Sequence, residues 1–203
     1  MWGLVQDGSI TKIINKPKAM VIGDIQYSRN IFSSRWNNAE REAIGIYEVV
    51  WNTSKRKDEQ WYINTNVSYA FAGGKVTASY GDATAKAHAD TLWTAQDETD
   101  GKGTEGEVAT RGLKYNLIQE IKEQAAGILQ DTDWYIVRKA DANTAIPSAI
   151  TNHRAAVRTK CAEMETAITN ASNTAAIETL HTYTKQEDGS VTRPLGELPT
   201  LEV

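Results

Sequence analysis

Cys161 is the single cysteine of the chain, so no internal disulfide can form and stability has to come from packing. A lone thiol suits a protein assembled in a reducing cytosol. No stretch reaches the roughly 18 consecutive apolar residues that a spanning helix needs. The opening "MWGLVQDGSITKI" carries no charged segment followed by a long apolar one, so neither a cleavable export signal nor a membrane partner is expected. Basic residues are not in excess: 22 stand against 26 acidic ones, for a formal charge of −4. Such a balance gives no broad positive field to gather phosphates, and nucleic acid is not an expected partner. No unit of about 20 to 50 residues recurs, which disfavours solenoids and propellers.

The signatures of reaction chemistry are equally sparse. His88, His153 and His181 stand far apart, and none has a cysteine or carboxylate at metal-ligand spacing. Cys161 falls on the apolar seam of a helix, the place of a buried structural thiol rather than a nucleophile. Gly73-Gly74-Lys75 lacks both the following Ser/Thr and the first glycine of a phosphate loop, and reads as a turn. Between Asp97 and Glu107 the acidic residues offer no register with the ligand order of a calcium loop. No catalytic residue, cofactor or metal is expected, and the chain is not read as an enzyme.

What is present is patterned. Hydrophobic residues make up 40% of 203, enough for real cores. Asp7-Gly8 between two apolar-leaning runs predicts a β-hairpin. Asn37 with Glu40 three residues on predicts a capped helix of about two turns, closed by Gly45. In "WYINTNVSYAFAGGKVTASY", Trp61, Ile63, Thr65, Val67, Tyr69 and Phe71 alternate with smaller or polar residues, the period of a strand with one buried face. A turn at Gly73-Gly74 sets Phe71 against Val76, Tyr69 against Ala78 and Val67 against Tyr80. The segment "NTSKRKDEQ" before it reads as a solvated loop, and Trp36, Trp51, Trp61 and Trp93 as small-domain core more than as a sugar platform.

Residues 97–106, "DETDGKGTEG", have the composition of a hinge, so the domain boundary is expected there. Beyond it the period lengthens. Val108, Leu117, Ile118, Ile121, Ala125, Ile128 and Leu129 mark one face of a helix over about 106–129. Asp131 or Thr132 caps a short second helix carrying Trp134 and Val137, and Pro147 suits the first turn of a third. That third helix presents Ile150, Arg154, Val157, Cys161, Met164 and Ile168 as a narrow seam. Ser172 or Asn173 caps a last helix through Leu180. The expected fold is therefore α+β. A β-hairpin-rich N-terminal domain (1–96) and a Gly/acidic linker (97–106) precede an antiparallel helical module (107–183) and an extended C-terminal arm (184–203).

Residues 118–158, "IQEIKEQAAGILQDTDWYIVRKADANTAIPSAITNHRAAVR", carry a leucine-ended helix before Asp133-Trp134-Tyr135, then Arg138-Lys139, Pro147, and the pair Arg154 and Arg158. This block resembles one found in tailed-bacteriophage tail proteins, among them tail assembly chaperones and tail-fibre-associated proteins. The front part, with "NIFSSRWNNAEREAIGIYEVV" and its aromatic hairpin, looks more loosely like the N-terminal portions of small phage tail proteins. The resemblance implies a structural virion component, an adaptor in the tail or baseplate region that helps attach tail fibres. The alternative it leaves open is an assembly chaperone not retained in the particle. Implied partners are other phage tail and fibre proteins and copies of the chain itself. Implied localisation is the virion tail, after synthesis in the host bacterial cytoplasm.

Within that block Trp134 and Tyr135 are expected to wedge between helices, so that Trp134→Ala would cost about 3–5 kcal/mol. Arg138, Arg154 and Arg158 are expected at the rim, sharing carboxylates or backbone carbonyls; for Arg154 a charge on a core-like seam must pair, snorkel or reach another chain, and all three stay open. In the tail, Val191, Leu195, Leu198 and Leu201 are spaced to dock an ordered arm onto a neighbouring chain or onto the β-rich domain. Deleting residues 186–203 would then leave the protein folded.

Overall fold

In the computed structural model, which describes residues 1–201, the chain is α+β. It divides into two compact units, Met1–Thr84 and Ala85–Val203.

The first unit is built on three hairpins. Strands β1 (Trp2–Gln6) and β2 (Ser9–Ile14) join through Asp7 and Gly8, both at positive φ, as the Asp-Gly turn predicts. Strand β3 (Met20–Ile22) and β4 (Ile25–Tyr27) form a second, smaller hairpin, followed by a 3-10 turn over Arg29–Phe32. Helix α1 (Asn38–Glu42) has the expected capping box: the Asn37 side chain accepts from the Glu40 N–H, and Glu40 reaches back to the Asn37 N–H. Gly45 closes it at φ 81°, where a side chain would also strike the Val5 carbonyl oxygen.

Strand β5 (Ile46–Asn52) pairs antiparallel with β1. Tyr62–Ile63 make the short strand β6; β7 (Ser68–Ala72) and β8 (Lys75–Ser79) follow as a hairpin in the expected register, Phe71 opposite Val76 and Tyr69 opposite Ala78. The pair ends at Ser68 and Ser79, so the Val67–Tyr80 pairing does not form. Nor is 61–71 one strand. Trp61 and its neighbour Tyr62 are both buried, and Asn66 sits at φ 58°, which breaks the alternation before β7 begins.

The five strands assemble in the order β2-β1-β5-β8-β7, with β5 and β8 parallel. The two edge strands, β2 and β7, come close to one another, so the sheet curls toward closure. Its concave interior holds Val5, Val49, Val76 and Ala78, flanked by Ile10, Tyr47, Tyr69 and Phe71. Gly3 leaves room there for Val76, whose methyls lie 3.1 Å from where a Cβ would stand. The outer face carries a second core of Leu4, Ile14, Met20, Ile31, Phe32 and Ile46, against which Trp36 packs. Arg41 fastens this layer: nearly buried, it donates to the Ile31 carbonyl, the Ser33 carbonyl and the Asn38 side chain, each at 2.9 Å.

In the second unit the expected hinge is ordered structure. After the two-residue strand β9 (Thr84–Ala85) come β10 (Thr91–Leu92) and β11 (Val108–Thr110), which pair and bracket helix α2 (Ala95–Thr99). Thr94 and Asp97 form a second capping box, and Trp93 covers Gly103 so closely that no side chain would fit. The glycines of 97–106 serve turns rather than a linker, and the unit boundary lies at Thr84 instead.

Helix α3 (Leu113–Gln130) starts later than about 106 because β11 occupies the preceding residues. Its first N–H groups donate to the Ala87 and His88 carbonyls. Helix α4 (Asp133–Ala142) is followed, past Pro147, by the 23-residue α5 (Ser148–Asn170), and α6 (Thr174–His181) is capped by Asn173. All six seam residues of α5, from Ile150 to Ile168, are buried as the spacing requires. Lys114 Nζ meets the Thr169 carbonyl at one end and Arg154 meets the Leu129 carbonyl at the other, so α3 and α5 run antiparallel.

The C-terminal arm folds back on its own unit. A small hairpin of β12 (Thr184–Lys185) and β13 (Val191–Thr192) leads to Leu195, only 2% exposed, whose N–H donates to the Leu180 carbonyl at 3.0 Å. Arg193 braces the turn through Glu197 and the Gly196 carbonyl, and Pro199, Thr200 and Leu201 lie beside Ala149, His153 and Ala156 of α5. Leu198 is half-buried in the same strap. The spacing of apolar residues marked a docking arm correctly, but the arm's partner is the helical unit itself.

Candidate interaction surface

Helix α4 is short, and none of its residues is buried. A ten-residue helix with no core face does not hold itself. It is fixed at its N-terminal end by Arg154 of α5, which is 7% exposed. From Nη1 this guanidinium donates to the Leu129 carbonyl and to the Thr132 hydroxyl, both at 2.6 Å, and from Nη2 to the Asp133 carboxylate at 2.8 Å. One side chain thus satisfies a terminal carbonyl of α3, ties the connecting residue, and neutralises the first-turn acid of α4. Thr132 is buried and also donates to the Leu129 carbonyl, tightening the same corner.

With its start pinned, α4 presents an apolar surface outward. Trp134 is 51% exposed, Ile136 42% and Val137 66%. Trp134 and Tyr135 lie with ring centroids 4.0 Å apart, and the Arg138 guanidinium sits 4.5 Å from the first centroid and 5.3 Å from the second. The arginine over the rings limits their rotamers, so the aromatic pair is preorganised rather than loose. At the far end Asn143 takes a left-handed conformation and accepts from Lys139, which stops the helix before Pro147.

The structure brings Trp134, Tyr135 and Arg138 together as one cluster and links Arg154 to it through Asp133. It moves the roles, however. The Trp134–Tyr135 pair does not wedge the bundle, because Ile121, Ala125, Ile150 and Val157 on α3 and α5 already close that core. Arg154 pairs internally, with a backbone carbonyl and a carboxylate as one of the open readings had it, while Arg158 lies on the exposed side of α5, outside the cluster. Leu195 is core and Leu198 belongs to the strap. The sequence marks Thr132 and Asp133 as cap candidate and motif residue and Leu129 as helix face, but not as the partners of Arg154; a carbonyl left at a helix end, as at Leu129, has no letter of its own.

Among the described residues no three histidine, cysteine, aspartate or glutamate side chains gather as a metal site, and no helix is long and apolar enough to cross a membrane. Burial pushes the Cys161 thiol above its ordinary value, and the neighbouring Glu165 carboxylate adds to the shift. No family model, curated protein or solved structure matches the chain.

Proposed function

We propose that this protein is a structural component of a tailed-phage virion, an adaptor in the tail or baseplate region that helps attach tail fibres, and that α4 is its docking face. The observation that carries the reading is the half-exposed Trp134–Tyr135–Arg138 cluster with the exposed Val137 on the adjoining side, held on a helix with no fully buried residue. Aromatic residues and arginine are the side chains that most often anchor protein interfaces. A rigid, half-exposed aromatic pair spends little entropy on binding. The setting is the one expected from the sequence of residues 118–158, the segment that contains α4.

The partner is another tail or fibre protein, and the role is one of connection rather than catalysis. The test is incorporation. Val137→Asp places a charge at the most exposed apolar position of α4 without touching the core. The variant is expected to fold with an unchanged melting temperature and to be lost from assembled particles. Normal incorporation of a folded Val137→Asp protein would overturn the docking role of α4.

A further inference from the structure

Of the tryptophans read as core, Trp51 departs most clearly: it is 38% exposed. Strand alternation places it on the face that carries Tyr47 and Val49, two residues past the last buried position of β5. Tyr80 continues the same face beyond Ala78 of β8, and the two rings lie 5.1 Å apart at 31°. The concave interior of the curled sheet therefore ends in an aromatic shelf at one mouth.

Residues 53–61 fold beside that shelf. Asp82 pairs with Lys55 at 2.8 Å, tying the loop to the segment just after Tyr80. Arg56 is held above its ordinary pKa by Glu59 first and, less strongly, by the Tyr80 phenol. Thr53, Arg56, Lys57, Asp58 and Glu59 line an open cleft of about 560 Å³ in this loop; the two rings are not part of its lining, and the Lys55–Asp82 pair holds the loop next to them. The loop is internally braced: Asn64 brackets the Lys57 backbone with two hydrogen bonds, and Asp58 accepts from the Gln60, Trp61 and Tyr62 N–H groups. A cleft of this size takes one or two sugar rings.

The charges around the cleft decide the ligand class. Lys55 is matched by Asp82, Arg56 by Glu59 at 2.8 Å, and Lys57 lies over the Tyr62 ring beside the Asp58 turn. Three cations and three anions cancel, which gives a phosphate or carboxylate ligand no net attraction. What the site offers is a flat apolar ring surface next to fixed donors and acceptors. A pyranose needs that combination, with a C–H face to settle on an aromatic ring and a rim of hydroxyls to pair with fixed polar groups.

We infer that the mouth formed by Trp51, Tyr80 and the 53–59 loop is a binding site for a neutral saccharide. The site belongs to the β-rich unit and does not rest on the docking role of α4. It is tested by applying the full chain to an array of immobilised neutral and anionic oligosaccharides, with Trp51→Ala and Glu59→Ala beside it. Retention on neutral sugars is expected, insensitive to added salt and weakened at least about tenfold by Trp51→Ala. Glu59 is exposed, so its variant keeps the fold and reports on the cleft if Trp51→Ala fails to express. No retention on any neutral saccharide, retention confined to anionic sugars and lost with salt, or binding equal to the wild type in a folded variant would overturn the site.

Discussion

Arg154 donates to the Thr132 hydroxyl at 2.6 Å across 22 residues of sequence, with the Leu129 carbonyl on the same nitrogen at the same distance. This contact sets where α3 ends and where α4 begins, and the exposed cluster on α4 depends on it. Replacing Arg154 by methionine leaves the stem's packing but strips Asp133 of its ion pair and removes one of the donors to the Leu129 carbonyl, which keeps the Thr132 N–H and hydroxyl. A loss of about 2–4 kcal/mol is expected, toward the lower part of the range for breaking a buried ion pair because Asp133 itself is half in solvent. Urea denaturation of the variant checks it; a loss under about 0.5 kcal/mol would mean that Arg154 is not the fastener.

Trp134→Ala is expected to cost less than about 1 kcal/mol, since the ring is half-exposed and its truncation opens no cavity. The same variant is expected to lose partner binding. Unfolding measurements give the first quantity and co-purification from infected cells the second. A loss of about 3 kcal/mol or more would restore the wedge expected from sequence.

Trp134 and Val137 lie three apart, a spacing that on a longer helix marks a core stripe. Nothing in the residue letters says that α3 and α5 already close on each other through Ile121, Ala125, Ile150 and Val157. Features governed by neighbours in sequence were legible: the Asp7-Gly8 and Gly73-Gly74 turns, the Asn37 capping box, the seam of α5. Those that depend on distant partners were not. The parallel pairing of β5 with β8 joins segments separated by the 53–61 loop, β6 and β7, and the clamp of Arg41 on two carbonyls leaves no pattern to read. Glycine content misled over 97–106, where the Thr94–Asp97 capping box was the better signal.

The C-terminal strap is part of the helical unit. Leu195→Ala should destabilise the protein by about 2–4 kcal/mol, the range for truncating a buried leucine. Removing residues 186–203 should lower the melting temperature measurably rather than leave the fold untouched. Unchanged thermal unfolding of the truncated chain would show that the arm adds nothing to its own core.

Acid should loosen α2 late. The Thr94 hydroxyl, the Thr94 N–H and then Lys102 hold Asp97 well below the usual carboxylate range, at about 2. A carboxylate whose folded pKa is depressed stabilises the fold above its unfolded value near 3.8 and loses that contribution as pH falls through about 2. The Thr94 amide resonance, followed by NMR on acidification, should therefore titrate with a midpoint near the lower value. A midpoint near 3.8 would contradict the capping box.

Cys161 should resist alkylation in the native protein at pH 8 and react at once in denaturant, because burial and Glu165 keep its thiol protonated. The raised value also fixes a sign: the contribution is fully present below the thiol's unfolded pKa and lost as pH rises through the folded one. Rapid labelling of the folded protein with a thiol reagent would place Cys161 at the surface.

Quantitative mass spectrometry of purified particles tests the adaptor reading most directly. The protein is expected in the particle at a fixed ratio to the other tail proteins. Its absence from particles, while abundant in infected cells, would contradict the adaptor role and point to an assembly chaperone.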